Sequence, residues 1–324
     1  MRIITLYCLA IFILLSMPAL WAQEGFNPGL WDIQAGKTDT IDGRIAFAGT
    51  ALLKDTKFGE GTIEWDLWAE GGRSYAGVIF HYRDNRNSEE FYIRPHKANG
   101  LNADAFQYTP VYHGVSCWQL YHGAGNTGSA HMPYREWVHF KLAVKGDMAI
   151  IQMGSEDPQT MMIDDLQTDA GSGRLGIKGP ADGSSWFSNF RWTPTVDTKF
   201  PIKSPQHSPD PGIIYRWEVS QVLGHNTVDP YGYYDNMGEI KWEELTADKN
   251  GLLNLTRFKI RSPFQPGWVY ARTIVDSDKD SIHKYLFGYS DYVTVFVNGI
   301  PIMSSTNAYT SRDPGFAGLI GYFD

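Results

Sequence analysis

Residues 90–122 read EFYIRPHKANGLNADAFQYTPVYHGVSCWQLYH, with aromatic rings, guanidinium, imidazole and amide groups recurring along strand-like pieces. Alternate residues of an extended strand point to the same face. Phe91, Ile93 and Pro95 therefore share one face, and Tyr92, Arg94 and His96 share the other. The first set has the character of a core. The second is rich in rings and polar groups, a combination that suits a polar, ring-shaped, neutral or acidic ligand. Aromatic cross-strand pairs also stabilise sheets with no ligand at all, so a solvated sheet face stands as the alternative.

Outward from this stretch the chain keeps the same rhythm. Strand-like pieces occur at 46–53, 61–68, 76–82, 90–96, 104–108, 118–122, 137–144, 149–153, 173–177 and 186–192. Clusters such as Asp84-Asn85-Arg86-Asn87-Ser88 and Lys97-Ala98-Asn99-Gly100 separate them. Short strands punctuated by Gly, Asn and Asp predict an all-β sandwich or barrel. No segment reads as a capped amphipathic helix; the best candidate, Trp242 to Asn250, is a turn or two at most.

The bulk numbers bound the function. The chain has 324 residues, 43% of them hydrophobic and 14% aromatic, with 33 Gly and 17 Pro. That is enough for two domains and argues against disorder. A net charge of −8 offers no footprint for nucleic acid or an anionic membrane. Arg2 followed by the charge-free run Ile3–Leu15 and the small residue Ala22 reads as a secretory signal over residues 1–23. Its apolar core is short for a membrane span, so the expectation is a secreted or periplasmic chain with no membrane insertion after cleavage. Cys8 would leave with the signal, so Cys117 would be the one thiol of the mature chain, and its strand context predicts burial.

A Pro- and Ser-rich stretch, 197–212, reads as a linker between a sandwich over 24–196 and a second β-unit over 213–324. In the second unit, residues 292–302 place Asn298-Gly299 between two β-runs, the strongest short hairpin signal, because a type I′ turn needs positive φ at both central residues. The sequence stops at Asp324 directly after strand-like 319–323, which leaves an incomplete second sandwich open as an alternative.

Phe58-Gly59-Glu60-Gly61-Thr62-Ile63-Glu64-Trp65-Asp66, Ala76-Gly77-Val78-Ile79-Phe80, Trp137–Lys141 and Phe187–Arg191 carry a resemblance. The first unit resembles the concanavalin A-like (laminin G, legume lectin, glucanase) jelly rolls. It is similar in particular to the 3-keto-disaccharide hydrolase or domain-of-unknown-function group of bacterial exported proteins. Residues 291–299 make the second unit similar to the galactose-binding-like accessory jelly rolls of glycosidases. The resemblance implies a fold and leaves activity open, since these sandwiches include lectins, hydrolases, lyases and inert modules.

The retaining hydrolases of the concanavalin A-like fold carry two glutamates flanking an aspartate on one strand, as E-x-D-x-E or with one extra residue at a bulge. Here Glu64 and Asp66 fit, but Trp68 stands where the second glutamate belongs. Glu64 and Glu70 would lie ~20 Å apart on an extended strand, against ~5 Å between the carboxyl groups of a retaining pair. A polysaccharide lyase would need a group to neutralise a uronate and a base; Arg94, His96, Gln107, Tyr108 and His122 supply those types. The strand motifs of such lyases are absent. Six of the nine histidines fall between His81 and His139, but none has zinc-motif spacing. Asp276-Ser277-Asp278-Lys279-Asp280 departs from a calcium loop at its glycine and glutamate positions. No cofactor is expected, with calcium at that loop left open.

The leading expectation is a carbohydrate-binding, lectin-like protein accessory to glycan processing, its partner an oligo- or polysaccharide. Tyr92, Tyr108 and Trp118 would stack on sugar faces, Arg94, His96 and Gln107 would bond hydroxyls, and His122 completes the carbohydrate-binding set. A glycan-cleaving enzyme and a structural or protein-binding surface module are the alternatives. The oligomeric state is open.

Overall fold

The structure, a computed structural model, describes residues 25–83, 86–168, 171–201, 211–224, 237–248, 250–258, 267–307 and 322–323. The expected signal peptide and nine residues of the expected linker, 202–210, lie outside them. No helix among the described residues is long and apolar enough to cross a membrane.

The first 13 strands form one antiparallel sheet. They are β1 (Trp31–Ile41), β2 (Arg44–Leu53), β3 (Gly61–Ala69), β4 (Ala76–Tyr82), β5 (Ser88–Ile93), β6 (Phe106–Tyr112), β7 (Val115–Ser116), β8 (Thr127–Gly128), β9 (Trp137–Lys145), β10 (Met148–Met153), β11 (Gln159–Ile163), β12 (Arg174–Lys178) and β13 (Ser185–Thr193). The order is β11-β10-β9-β3-β13-β2-β12-β4-β5-β6-β7, with β1 added on β2 and β8 on β6. β3 and β5 are five steps apart in that order, so a flat sheet would separate them by ~24 Å. The rings of Trp65 on β3 and Phe91 on β5 nevertheless lie 6.4 Å apart. The sheet therefore curls over on itself into a sandwich.

Period-2 patterning produces the core. On β3, Ile63, Trp65 and Leu67 are fully buried, while Glu64, Asp66 and Trp68 between them are half-buried. Trp65 stacks on Phe140 at 5.1 Å, and Phe91 meets Phe106 at 5.4 Å. Each such ring contributes roughly 1.5–3 kcal/mol by burial, which is how the sandwich holds together without a disulfide.

Several expectations are corrected. The strand through Arg94 stops at Ile93, because Pro95 has no N–H for the ladder and opens a single 3-10 turn, Pro95–Lys97. Residues 118–122 form turns, not a strand. Trp242–Thr246 is a strand where a helical turn was the best candidate, and the helix lies later, at Leu255–Phe258. β1 escapes the sequence reading because nine of its residues, 32–40, are exposed on both faces and lack alternation. The Asp42-Gly43 turn that joins it to β2, both residues at positive φ, was the available signal.

Beyond residue 211 the described chain is also built of antiparallel strand pairs. Asp291–Val297 and Ile300–Asn307 form the expected hairpin, with Asn298 at φ 51° and Gly299 at φ 81°. This part touches the sandwich through Asn254, whose Nδ2 donates to Tyr121 Oη at 3.3 Å. Ser290 Oγ also donates to Gln119 Oε1 at 3.1 Å.

Candidate functional site

The end of β5 and the turn after it bring Tyr92, Arg94, His96, Gln107 and Trp118 together. Tyr92 pairs across the sheet with Gln107. Arg94, only 3% exposed, is the hub. Its Nη1 donates to Asp104 O (2.8 Å) and Oδ1 (3.0 Å), and its Nη2 to Gln107 Oε1 (3.0 Å) and Tyr92 Oη (3.2 Å). Lys97 Nζ donates to the other Asp104 oxygen at 2.8 Å. Three rings surround the guanidinium carbon, with centroids at 5.1 Å (Tyr92), 5.7 Å (Trp118) and 5.9 Å (Tyr75). Cation–π attraction at such distances favours a desolvated guanidinium between ring faces.

Burial corrects part of the expected roles. Gln107 is fully buried, and its Nε2 donates to the carbonyls of Tyr108 and Tyr121, both at 2.6 Å. Arg94 and Gln107 thus brace the rings from behind instead of offering donors to sugar hydroxyls. Tyr108 lies on the opposite, core-facing side of β6, fully buried, and cannot stack on a ligand. Its hydroxyl donates to Glu89 and accepts from Gln167 N at 2.9 Å. His122 sits in the turn region after Tyr121, with its carbonyl accepting Asn126 Nδ2 at 3.3 Å.

The surface of the site belongs to a residue the sequence reading passed over. Tyr75, 37% exposed, stands edge-on to Tyr92 (6.0 Å, 71°) and to His96 (5.5 Å, 73°). Arg73 Nε donates to its hydroxyl at 2.8 Å. An aromatic directly before a strand, in the turn Gly71-Gly72-Arg73-Ser74-Tyr75, was the signal. His96 Nδ1 accepts from Ser74 N at 3.3 Å. Burial, followed by the charges of Lys97, Arg73 and Arg94, holds the imidazole below its ordinary pKa. His96 is therefore neutral near pH 7 with its proton on Nε2, which makes that atom a donor.

The acidic stretch on β3 forms a second polar group, on the outer side of the sheet. His139 on β9 bridges both acids, with Nδ1 2.8 Å from Asp66 Oδ1 and Nε2 3.0 Å from Glu64 Oε2. Arg44 and Asn189 also donate to Asp66, at 2.6 and 2.7 Å, and Arg191 pairs with Glu64. The bond to His139 leads in holding Glu64 down to about 2 against partial burial, and the two carboxylates hold His139 up to about 9. Asp66 is lowered too, its bonds to His139 and Asn189 outweighing burial. Glycoside hydrolysis needs one carboxyl kept protonated and the other ionised. Here both are ionised, so this pair lacks a general acid.

The histidines disperse. His81 sits buried at a bulge of β4 with Nε2 bonded to Gly59 O at 2.8 Å, and the backbone of His131 is held by Gln159. Among the described residues no three His, Cys, Asp or Glu side chains are arranged to hold a metal ion. The Asp276–Asp280 segment is an exposed turn in which Ser277 Oγ donates to Lys279 O.

No protein-family model and no curated protein matches the sequence. Among solved structures the chain is similar to the CBM66 carbohydrate-binding module from Bacillus subtilis, at 15% identity and TM-score 0.39, over 51% of this chain and 95% of that one. It is also similar to a protein of unknown function with a galectin-like fold from Bacillus subtilis (12%, TM-score 0.40, 51% and 90%). The galectin LEC-6 of Caenorhabditis elegans is a third (10%, TM-score 0.32, 52% and 99%).

Proposed function

We propose that this chain is an exported carbohydrate-binding protein, accessory to glycan processing, and that it holds a sugar on the Tyr75 face at the β4–β5 end of the sandwich. The observation that supports this is the exposed Tyr75 ring, set edge-on between Tyr92 and His96 above the buried Arg94 guanidinium. A pyranose presents an apolar C–H face ringed by hydroxyls. Tyr75, with the half-buried rings of Tyr92 and Trp118 beside it, would cover the apolar face. His96 Nε2–H would donate to a ring or hydroxyl oxygen. The network behind the rings fixes their orientation before binding, which lowers the ordering cost of association. The signal-like residues 1–23 support the reading that the protein is exported.

The test is a screen of the chain from Glu24 onward against a broad panel of glycans and polysaccharides, scoring binding and product release together. Saturable binding without products supports the proposal. Silence across the panel overturns it in favour of a structural module, and released products would make the protein an enzyme.

A further inference from the structure

We infer that the saccharide taken by this site is acidic, carrying a carboxylate or sulfate beside the ring that stacks on Tyr75; the inference rests on the carbohydrate reading above. The geometry points that way from three sides. Asp104 is shared by two cations, with Arg94 at 3.0 Å and Lys97 at 2.8 Å. Those three side chains together therefore leave one positive charge over. Asp104 is fully buried while Lys97 keeps part of its side chain exposed, so the excess charge is open to solvent at Lys97, next to His96 in the same turn.

His96 adds a donor at Nε2, because Ser74 N–H occupies Nδ1. A ligand at Nε2 must therefore bring an acceptor. Among the charges acting on the His96 ring are the cations Lys97, Arg73 and Arg94, and each opposes a further positive charge there. An ammonium-bearing amino sugar would meet that same field. A carboxylate or sulfate oxygen would be drawn to it and would satisfy the Nε2 donor. The local sign is opposite to the net charge of −8 carried by the whole chain. Acidic polysaccharide would therefore be drawn to this cluster against the overall negative charge of the chain, which orients the encounter.

Matched pairs of probes test this: polygalacturonate and alginate against their carboxyl-reduced forms, and dextran sulfate against dextran. Each is titrated into the mature chain at low salt and again at about 0.5 M salt, where the Debye length falls to a few ångströms. The expected result is that at least one charged member binds about tenfold or more tightly than its neutral partner at low salt, the preference collapsing at high salt. The carboxylate and sulfate arms tell the two sources apart. Replacing the surface cation, Lys97→Met, should lower the charged-to-neutral ratio severalfold. Neutral members binding as well as charged ones would overturn the inference and leave the carbohydrate reading standing. No binding by any member, together with silence in the broad screen, would overturn both.

Discussion

Arg94 and Asp104 form an ion pair at 3.0 Å with 4% and 3% of their side-chain surfaces exposed, at the base of the aromatic cluster. The pair does two jobs. It fixes the turn that follows β5, and it holds the guanidinium under Tyr75, Tyr92 and Trp118. Removing the guanidinium leaves Asp104 with Lys97 alone and takes the Arg94 donors away from Gln107 Oε1 and Tyr92 Oη, a loss of about 3 kcal/mol. Arg94→Ala should therefore lower the thermal midpoint by roughly 10 °C. Arg94→Lys should recover little of it, since an ammonium cannot reach Asp104, Gln107 and Tyr92 together. Thermal unfolding followed by circular dichroism checks this; an unshifted midpoint would show that the pair does not brace the site.

Glu89 is fully buried and accepts from Tyr108 Oη, Thr168 N and Thr168 Oγ1, the latter two at 2.7 Å. Burial outweighs these bonds and pushes its carboxyl up to about 7. The folded pKa exceeds the unfolded one, so the contribution to stability is complete below about pH 4.5 and is lost as pH rises through 7. The loss amounts to about 3 kcal/mol on full ionisation. Glu89→Gln, which cannot ionise, should flatten that part of the decline between about pH 5 and pH 8. Denaturant midpoints for both proteins at the two pH values decide it, and parallel declines would contradict the assignment.

His139 gives a second pH signature with the same sign. Its pKa is raised to about 9 by Asp66 and Glu64, so its pairing stabilises fully below about pH 6.5 and fades as pH climbs through 9. With a quarter of the side chain exposed, solvent screening leaves about 1–2 kcal/mol. His139→Gln should cost that much near pH 6 and little near pH 10. Equal costs at both pH values would show that charge plays no part.

Cys117 is 5% exposed, with its sulfur 4.0 Å from Asn254 Oδ1, and burial pushes its thiol pKa up. Reactivity follows thiolate character and access. The native chain from Glu24 onward, which holds Cys117 alone, should leave a thiol reagent unconsumed for hours and react with one equivalent in denaturant. Rapid labelling of the folded chain would mean that the contact between the 254 region and the sandwich opens readily.

Much of the fold was legible because burial on one face imposes period 2. Ala76–Tyr82 matches its expected bounds, and the Asn298-Gly299 turn follows from its need for positive φ. β1 was not legible, since a strand exposed on both faces has no alternation to read. The site was legible as a neighbourhood and misread in its layers. Parity correctly put Tyr92 and Arg94 on one face, but segments folded back from the sequence after β6 bury Arg94 and Gln107. Nothing in the local pattern announces such a cover. Tyr108 was misplaced because its partner across the sheet is the core residue Phe91, a register that no single strand reveals. Tyr75 was missed because it sits in a turn, where rings carry no periodic signal.

The most direct test of the central claim is the affinity of the wild-type chain and of Tyr75→Ala for the best glycan found in the screen, measured by titration calorimetry. Tyr75 is 37% exposed and its ring contacts are with Tyr92, His96, Arg73 and Arg94 of the site, so its removal should leave the fold intact and lower the thermal midpoint far less than Arg94→Ala. The expected result is a loss of affinity of about tenfold or more, ~1.4 kcal/mol, with Trp118→Ala weakening binding in the same sense. Unaltered affinity in Tyr75→Ala, with the glycan still bound, would contradict the account and move the sugar to another face of the sandwich.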